Sequence, residues 1–137
     1  MSATRTIAAP AAEIFDLLAD PRQHVRLDGS GSVTEVVAAP PRLSLGATFT
    51  MRMRIGASYA THNVVSVFEE HRAIGWHHFA RFTWRYDLEE VAGGTRVTES
   101  FTYDNPLGLV IMALGWPARN QRSMERTLER LETAVTS

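Results

Sequence analysis

The chain has 137 residues, a formal net charge of −1 and no cysteine. This length suits one domain over residues 1–137, and folding would bury about two-thirds of the unfolded chain's surface without a disulfide or metal. The lack of cysteine excludes thiol catalysis and cysteine-based zinc sites. The scattered arginines form no basic face, so we expect no nucleic-acid partner.

The first third of the chain predicts two strands separated by two helices. Residues 4–8 are the first strand candidate, and residues 10–19 form a helix with proline at its first position. A short second helix begins after Asp20, which caps it, and ends by residues 28–29. Residues 32–39 are the next strand candidate, because two prolines follow them.

From residue 48 onward the apolar residues recur at every second position, which is typical of strands. We place turns at residues 56–58, 69–72, 79–81 and 93–94. The loop lengths then predict these opposed pairs: Met53 with Thr61, Val65 with Trp76, Val67 with Ile74, Asn63 with His78, Trp76 with Trp84, Leu88 with Glu99, Tyr86 with Phe101, and Trp84 with Tyr103. All of these registers keep the bulky residues on one face, so a continuous antiparallel meander of four or five strands is expected.

The last two predicted strands, within residues 82–103, have one polar face and one aromatic face. The aromatic face contains Phe82, Trp84, Tyr86, Leu88, Val97, Glu99, Phe101 and Tyr103. A wall of large rings with a single carboxylate indicates either a tightly filled core or a lined cavity.

The chain ends in a predicted amphipathic helix. Its apolar stripe comprises Gln121, Met124, Leu128, Leu131 and Val135. Residues 107–116 precede it, and Pro117 should kink or restart the helix. We interpret residues 107–116 as buried first turns, although a lid over a cavity is an alternative. No apolar run reaches the ~20 residues of a spanning helix, and the start has no signal-peptide pattern, so we expect a soluble, cytoplasmic protein without stable membrane insertion.

The chain resembles the SRPBCC superfamily, which includes START-type lipid-binding domains, birch-pollen-allergen-like proteins and polyketide cyclase/dehydratases. The resemblance rests on the order of elements and on the segments IAAPAAEIFDLLADPRQHVRLDG, VVSVFEEHRAIGW and WRYDLEEVAGGTRVTESFTY. It implies an α+β helix-grip fold, in which a curved antiparallel sheet wraps around a long C-terminal helix. It also implies a cavity between them for a hydrophobic small molecule. Because the superfamily contains carriers, sensors and enzymes, it does not select among these functions.

Glu99 is the main candidate for chemistry, because the predicted register points it inward. A buried carboxylate must be paired, hydrogen-bonded or protonated, since leaving it bare costs several kcal/mol. One interpretation is a general acid or base of raised pKa, or an anchor for a polar ligand group. The other, which we favour, is an ion pair with an arginine or a position near water at the cavity mouth.

His78 and Asn63 are predicted neighbours on the same face, and with Glu99, Tyr86 and Tyr103 they would form a polar cluster. Such a cluster has the parts an enolising cyclase needs, namely a base and donors for an enolate oxygen. A hydrogen-bonded core histidine is the simpler interpretation. If His77 faces inward instead of His78, the cluster does not form.

The remaining candidates are ligand-lining side chains. Together with Asn63 and Tyr86, the set is Met51, Met53, Trp76, Phe82, Trp84, Phe101 and Tyr103. The five histidines have no chelating spacing on a strand, so we expect no metal and no cofactor.

Three functions follow from these observations. The first is binding of a hydrophobic small molecule such as a lipid, polyketide or isoprenoid. The second is a polyketide cyclase/dehydratase-like enzyme with Glu99 and His78 as acid and base. The third is a protein-interaction module that uses the sheet edge or the last helix. A homodimer stays open, because it depends on whether residues 32–39 form a free edge strand.

Overall fold

The computed structural model describes residues 2–55, 57–78, 82–103 and 116–136, and it has the predicted α+β helix-grip fold. Its strands are β1 (Ser2–Ile7), β2 (Val33–Ala38), β3 (Thr48–Ile55), β4 (Ala57–Glu69), β5 (Ala73–His77), β6 (Phe82–Val91) and β7 (Gly94–Tyr103). Its helices are α1 (Ala11–Leu18), α2 (His24–Leu27) and α3 (Trp116–Thr136), and a 3-10 turn, Pro21–Gln23, leads into α2.

The strands form one antiparallel sheet in the order β1-β7-β6-β5-β4-β3-β2. β1 and β2 are the two edges of this sheet, so the strand predicted over residues 32–39 does lie at an edge. α3 lies closest to β1 and also touches α1, α2 and β7. Its stripe is confirmed, because Met124, Leu128 and Leu131 are buried. One face of the sheet is therefore covered by helices.

The start of α1 differs from the prediction by one residue. Pro10 has φ −65° and ψ 146°, and this extended ψ places it before the helix as the N-cap. The predicted cap of the next helix is confirmed, since the Asp20 side chain accepts a hydrogen bond of 3.0 Å from the backbone N–H of Arg22. The chain then turns sharply enough to bring α2 back over the sheet.

Two predicted registers are wrong by two residues. In the β6–β7 hairpin, Leu88 lies opposite Val97 and Tyr86 opposite Glu99. The turn is one residue earlier than predicted, because Gly93 adopts φ +88°, a conformation that glycine accepts readily. The predicted pairs of Tyr86 with Phe101 and of Trp84 with Tyr103 shift in the same way. Since side chains alternate with a period of two, this shift moves no residue to the other face.

The β3–β4 hairpin shows the same error. Met53 lies opposite Tyr59 rather than Thr61, because pairing continues down to Ile55 opposite Ala57. The connection is therefore shorter than the three residues predicted. The inward face again keeps the predicted residues.

The pairing of β5 with β6 follows the prediction, whereas its pairing with β4 does so only in part. Trp76 lies opposite Val65 and Trp84, as predicted. A register shift between Val65 and Val67 moves Val67 to Gly75, so the predicted pair of Val67 with Ile74 is wrong. The described β4–β5 ladder also ends at Val64 and His77, one place before the predicted Asn63–His78 pair. A bulge of this kind adds a residue to one strand only, which loop-length reasoning does not detect.

The predicted segment 107–116 falls outside the described residues except at Trp116, where α3 begins. Pro117 follows at the second position of α3, where proline is well tolerated. Within the described part of the chain, no helix is both long and apolar enough to cross a membrane.

Candidate functional site

The described residues surround a cavity of about 580 Å³ between the sheet and the helices. Strands β3 to β7 supply one wall, and Leu18, Leu27 and Met124 belong to the helical wall. The hydrophobic core contains residues away from the cavity, such as the fully buried Phe15 and Ile74, and is continuous with lining residues such as Phe49 and Met124. The aromatic face of the sheet is therefore partly core and partly the lining of a cavity.

The structure places most of the candidate residues around this cavity. Both Glu99 and His78 line it, as do Met51, Met53, Asn63, Trp76, Phe82, Trp84, Tyr86 and Phe101. His77 is not part of the lining, so His78 is the member of the pair that faces inward. The side chain of Tyr103 lies outside the described residues.

Aromatic rings form a continuous floor on the sheet side. The Trp84 and Phe101 ring centroids are 4.1 Å apart, and the Phe49 ring meets Trp76 edge-on at 5.6 Å. Trp76 is also 5.9 Å from the ring of Tyr86. Rings held against each other in this way present a broad apolar surface with little conformational freedom.

Glu99 is buried in this wall, with only 2% of its surface exposed. Tyr86 stands directly opposite it on β6, and its hydroxyl lies close enough to the carboxyl to influence the pKa of Glu99. Ala3, its neighbour on β1, offers no polar side chain. Glu99 Oε1 has no hydrogen-bond partner among the described residues. The expected arginine partner is likewise not found in that part of the chain.

The electrostatics of the wall favour uncharged forms of both groups. Burial raises the pKa of Glu99 well above 4.5, Asp28 raises it further by repulsion, and the nearby Tyr86 hydroxyl only partly opposes this. Burial also raises the pKa of Tyr86 well above 10.0, and the neighbouring Glu99 adds to the shift. Glu99 is thus a carboxyl group that stays neutral over a wider pH range than an exposed glutamate.

His24 on α2 is part of the opposite wall, and sequence reasoning did not select it. Its Nε2 lies 2.8 Å from the carbonyl oxygen of Leu18, and its ring stacks on Trp76 at 4.8 Å. A carbonyl can only accept, so Nε2 carries the proton. Burial lowers the pKa of His24, which keeps the ring neutral. His24 therefore connects the helical wall of the cavity to the aromatic rings of the sheet wall.

The loop after α2 is held tightly against α3. The Gly29 N–H donates to Thr127 Oγ1 at 2.8 Å, and Arg126 Nε donates to the Gly29 carbonyl at 2.9 Å. A Cβ on Gly29 would stand 2.4 Å from the Ser123 carbonyl oxygen, so only glycine fits. This contact fixes the loop after α2 on the surface of α3.

The Asp28 carboxylate, in the same loop, lines the cavity and organises the turn that follows. It accepts hydrogen bonds from the Ser30 hydroxyl at 2.7 Å and from the Val33 N–H at 3.0 Å. Two acidic side chains of the described residues therefore line the site, Asp28 in the loop and Glu99 in the sheet.

Asn63 and His78 contribute differently from the predicted cluster. The Asn63 amide donates weakly to the carbonyl oxygens of Thr61 and Phe49, at 3.3 and 3.4 Å. Burial, reinforced by the adjacent His77, lowers the pKa of His78. Asn63 is thus held by its own hairpin, and His78 is biased toward the neutral ring.

One group of described residues has the geometry for a metal ion, and it lies outside the cavity. Asp16, Glu70 and His71 bring one ligand atom each within 4.8 Å of one another on the surface. Arg42 already bonds both carboxylates, at 3.1 and 2.6 Å. Its guanidinium occupies the position that a cation would take.

Comparison with known proteins agrees with this architecture. A family model described as "Polyketide cyclase / dehydrase and lipid transport" matches residues 1–136. The chain belongs to this family. The family description suggests hydrophobic ligand binding.

Two curated relatives from Mycobacterium tuberculosis strains resemble the chain over most of its length. The uncharacterized protein Rv0088 is 35% identical over 133 residues, which is 91% of this chain and 59% of that protein. The uncharacterized protein MT0096 matches with the same identity and coverage. The chain therefore spans about six-tenths of the length of the curated relatives it matches.

Solved structures show the same fold at lower identity. Protein Ms6760 from Mycobacterium smegmatis has a TM-score of 0.73 at 24% identity, covering 98% of this chain and 89% of that one. The KanY protein has a TM-score of 0.76 at 17% identity, covering 99% and 96%. Protein NE0264 from Nitrosomonas europaea has a TM-score of 0.73 at 14% identity, covering 97% and 91%. These likenesses support the family fold and extend no further.

Several cavity residues of this family member were not selected from the sequence. They are Leu18, His24, Leu27, Asp28, Ser30, Ser32, Val33, Phe49, Tyr59, Thr61, Arg122, Ser123, Met124, Arg126 and Thr127. Phe49 and Thr61 share the inward phase of Met51 and Asn63, so strand alternation could have found them. His24 and Asp28 had no such signal, because only the packing of α2 and its loop brings them to the sheet.

Proposed function

We propose that this chain binds a hydrophobic small molecule of the lipid, polyketide or isoprenoid type in the cavity between the sheet and α3. The observation that carries this proposal is the 580 Å³ cavity, which lies in the size range of small-molecule sites and is floored by aromatic rings. The family's description as including lipid transport supports the same conclusion.

The lining also suits an apolar ligand of variable shape. Met51, Met53 and Met124 add flexible thioether side chains to the rigid rings, and such side chains adapt to different ligands. Burial of apolar ligand surface contributes about 25 cal/mol per Å² before the costs of association. Because most of the lining side chains on the sheet wall are apolar or aromatic, we expect this term to contribute most of the binding free energy.

Native mass spectrometry of freshly purified protein tests the proposal directly. We expect a co-purified small molecule that apolar solvent removes. A cavity-filling variant, Thr61→Phe, should weaken binding of the fluorescent probe phenylnaphthylamine by about tenfold or more, since the buried Thr61 side chain lines the cavity.

Ala60→Phe is the matched control, because Ala60 is exposed and lies one residue away on the other face of β4. This variant should bind the probe as the wild type does. Equal binding by wild type and Thr61→Phe, or no binding by the wild type, would contradict the proposal.

A second candidate function is acid–base catalysis on a bound polyketide-like molecule. It is favoured by one observation, the buried Glu99 carboxyl whose Oε1 has no partner among the described residues and which lines the cavity. With the co-purified molecule as substrate, Glu99→Gln should retain binding and lose turnover by orders of magnitude if the chain is an enzyme. If the wild type binds the molecule but does not convert it, catalysis is refuted and binding remains the proposed function.

A further inference from the structure

We propose that the ligand presents a neutral carbonyl oxygen, as in a ketone, ester or amide, and that the Glu99 carboxyl binds it by donating a hydrogen bond from Oε1. This inference rests on the proposed ligand-binding function and specifies the polar chemistry of the ligand. It distinguishes hydrophobic molecules with a neutral carbonyl group, which the site would bind, from those with a free carboxylate, which it would bind more weakly.

The geometry leaves one oxygen of Glu99 for the ligand. Tyr86 lies opposite Glu99 and close to its carboxyl, and Oε1 has no partner among the described residues. The residue is 2% exposed and lines the cavity, so bulk water does not replace the missing partner. A buried polar atom without a partner is costly, and a ligand oxygen would remove that cost.

The charges around Glu99 determine which kind of oxygen fits. Asp28 adds negative charge at the same cavity, and Tyr86, the nearest polar neighbour of Glu99 on the sheet, carries no positive charge. His24 opposite is held neutral by burial, with its Nε2 bonded to Leu18. Arg122 and Arg126 on α3 also line the cavity, but both are exposed, and Arg126 Nε is bonded to Gly29. A ligand carboxylate would lose its hydration at the buried Glu99 and share the cavity with the Asp28 carboxylate, whereas a neutral carbonyl would avoid both costs and accept a hydrogen bond from the protonated Glu99.

Three probes with eleven carbons each separate these cases: undecane, methyl nonyl ketone and undecanoate. Each would displace phenylnaphthylamine from the wild type, Glu99→Gln, Glu99→Leu and the exposed control Glu90→Gln at neutral pH. Undecane has no oxygen, so its binding reports the apolar cavity and the folded state of every variant.

We expect Glu99→Leu to lose about tenfold in affinity for the ketone and nothing for undecane. Glu99→Gln should stay within a few-fold of the wild type, because its amide oxygen can accept from Tyr86 while its N–H₂ donates to the ketone. Undecanoate should bind the wild type at least about tenfold more weakly than the ketone. Glu90→Gln should change none of these values.

Unchanged ketone affinity in Glu99→Leu, or undecanoate binding as tight as the ketone, would overturn this inference while undecane binding upheld the cavity function. Failure of undecane to bind the wild type would instead refute the binding function itself. An infrared difference spectrum gives a second readout, since ketone binding should shift a carboxylic-acid C=O band that Glu99→Gln removes.

Discussion

Tyr86 on β6 lies directly opposite Glu99 on β7, and the two side chains are buried side by side in the wall of the cavity. The pair places an acid where water is excluded and still leaves Oε1 without a partner among the described residues. An apolar pair of similar size would fill the same wall at lower cost, because unsatisfied buried polar groups destabilise a fold. The proposed hydrogen bond from Glu99 to a ligand oxygen would offset this cost.

The first prediction concerns the pH dependence of stability at Glu99. Its pKa is raised above 4.5 in the folded protein, so its stabilising contribution is complete below that value and is lost as pH rises toward the folded pKa. Glu99→Gln cannot lose a proton. The free energy of unfolding of Glu99→Gln should therefore rise relative to that of the wild type as the pH increases, by at most about 1.4 kcal/mol per pH unit.

Urea denaturation of the two proteins across this pH range measures the difference. Asp28, His24 and the other ionisable groups are common to both proteins, so their contributions to the difference in free energy of unfolding largely cancel. Parallel stability profiles would show that Glu99 titrates as an ordinary exposed glutamate, against its burial in the cavity wall.

The second prediction concerns His24, whose pKa is lowered below 6.5 by burial. Its contribution to stability is complete above pH 6.5 and is lost as pH falls toward the folded pKa, because the unfolded chain takes up the proton first. His24→Phe leaves the Leu18 carbonyl without its partner and should cost about 1–3 kcal/mol at about pH 8. The cost should shrink toward about pH 5, where the wild type is itself weakened.

The exposed His62 provides the matched control for this measurement. His62→Phe removes a bond to Thr50 on the outer face, 2.9 Å long, and should leave the pH profile close to that of the wild type. A gap between wild type and His24→Phe that widens in acid would contradict the burial of a neutral His24.

The third prediction concerns the contact between the loop after α2 and the last helix. Gly29→Ala places a methyl group 2.4–2.6 Å from atoms of Ser123, Arg126 and Thr127, which belong to the helix backbone or lie next to it. We expect a loss of about 1–3 kcal/mol in the free energy of unfolding, together with weaker probe binding, because the helical wall must move.

Gly31→Ala separates this steric effect from glycine's backbone freedom. Gly31 has φ +70°, and a methyl group added to it would have no neighbour within 4 Å, so alanine there meets only backbone strain. It should cost about 1 kcal/mol and leave probe binding unchanged. Thermal or urea unfolding of Gly29→Ala that matches the wild type would show that the loop does not pack closely on α3.

Much of the sheet wall was predictable from local pattern. Met51, Trp76, Trp84 and Glu99 all face the cavity, although the registers of two hairpins were wrong by two residues. A register error of two residues leaves each side chain on the same face of the sheet, because the alternation of side chains has a period of two. The bulge between Val65 and Val67 was not predictable, since it depends on how β4 bends across its neighbours.

The sequence by itself determined the order of elements and the inward phase of the strands, because these depend on periodicity, turns and caps within short stretches of chain, and its resemblance to the SRPBCC superfamily implied the helix-grip fold. Only the tertiary structure decided that a cavity remains beneath α3, that His24 and Asp28 form its second wall, and that Tyr86 rather than an arginine contacts Glu99. Those features are contacts between residues far apart in the chain, and their geometry is set by how whole elements pack rather than by any local pattern.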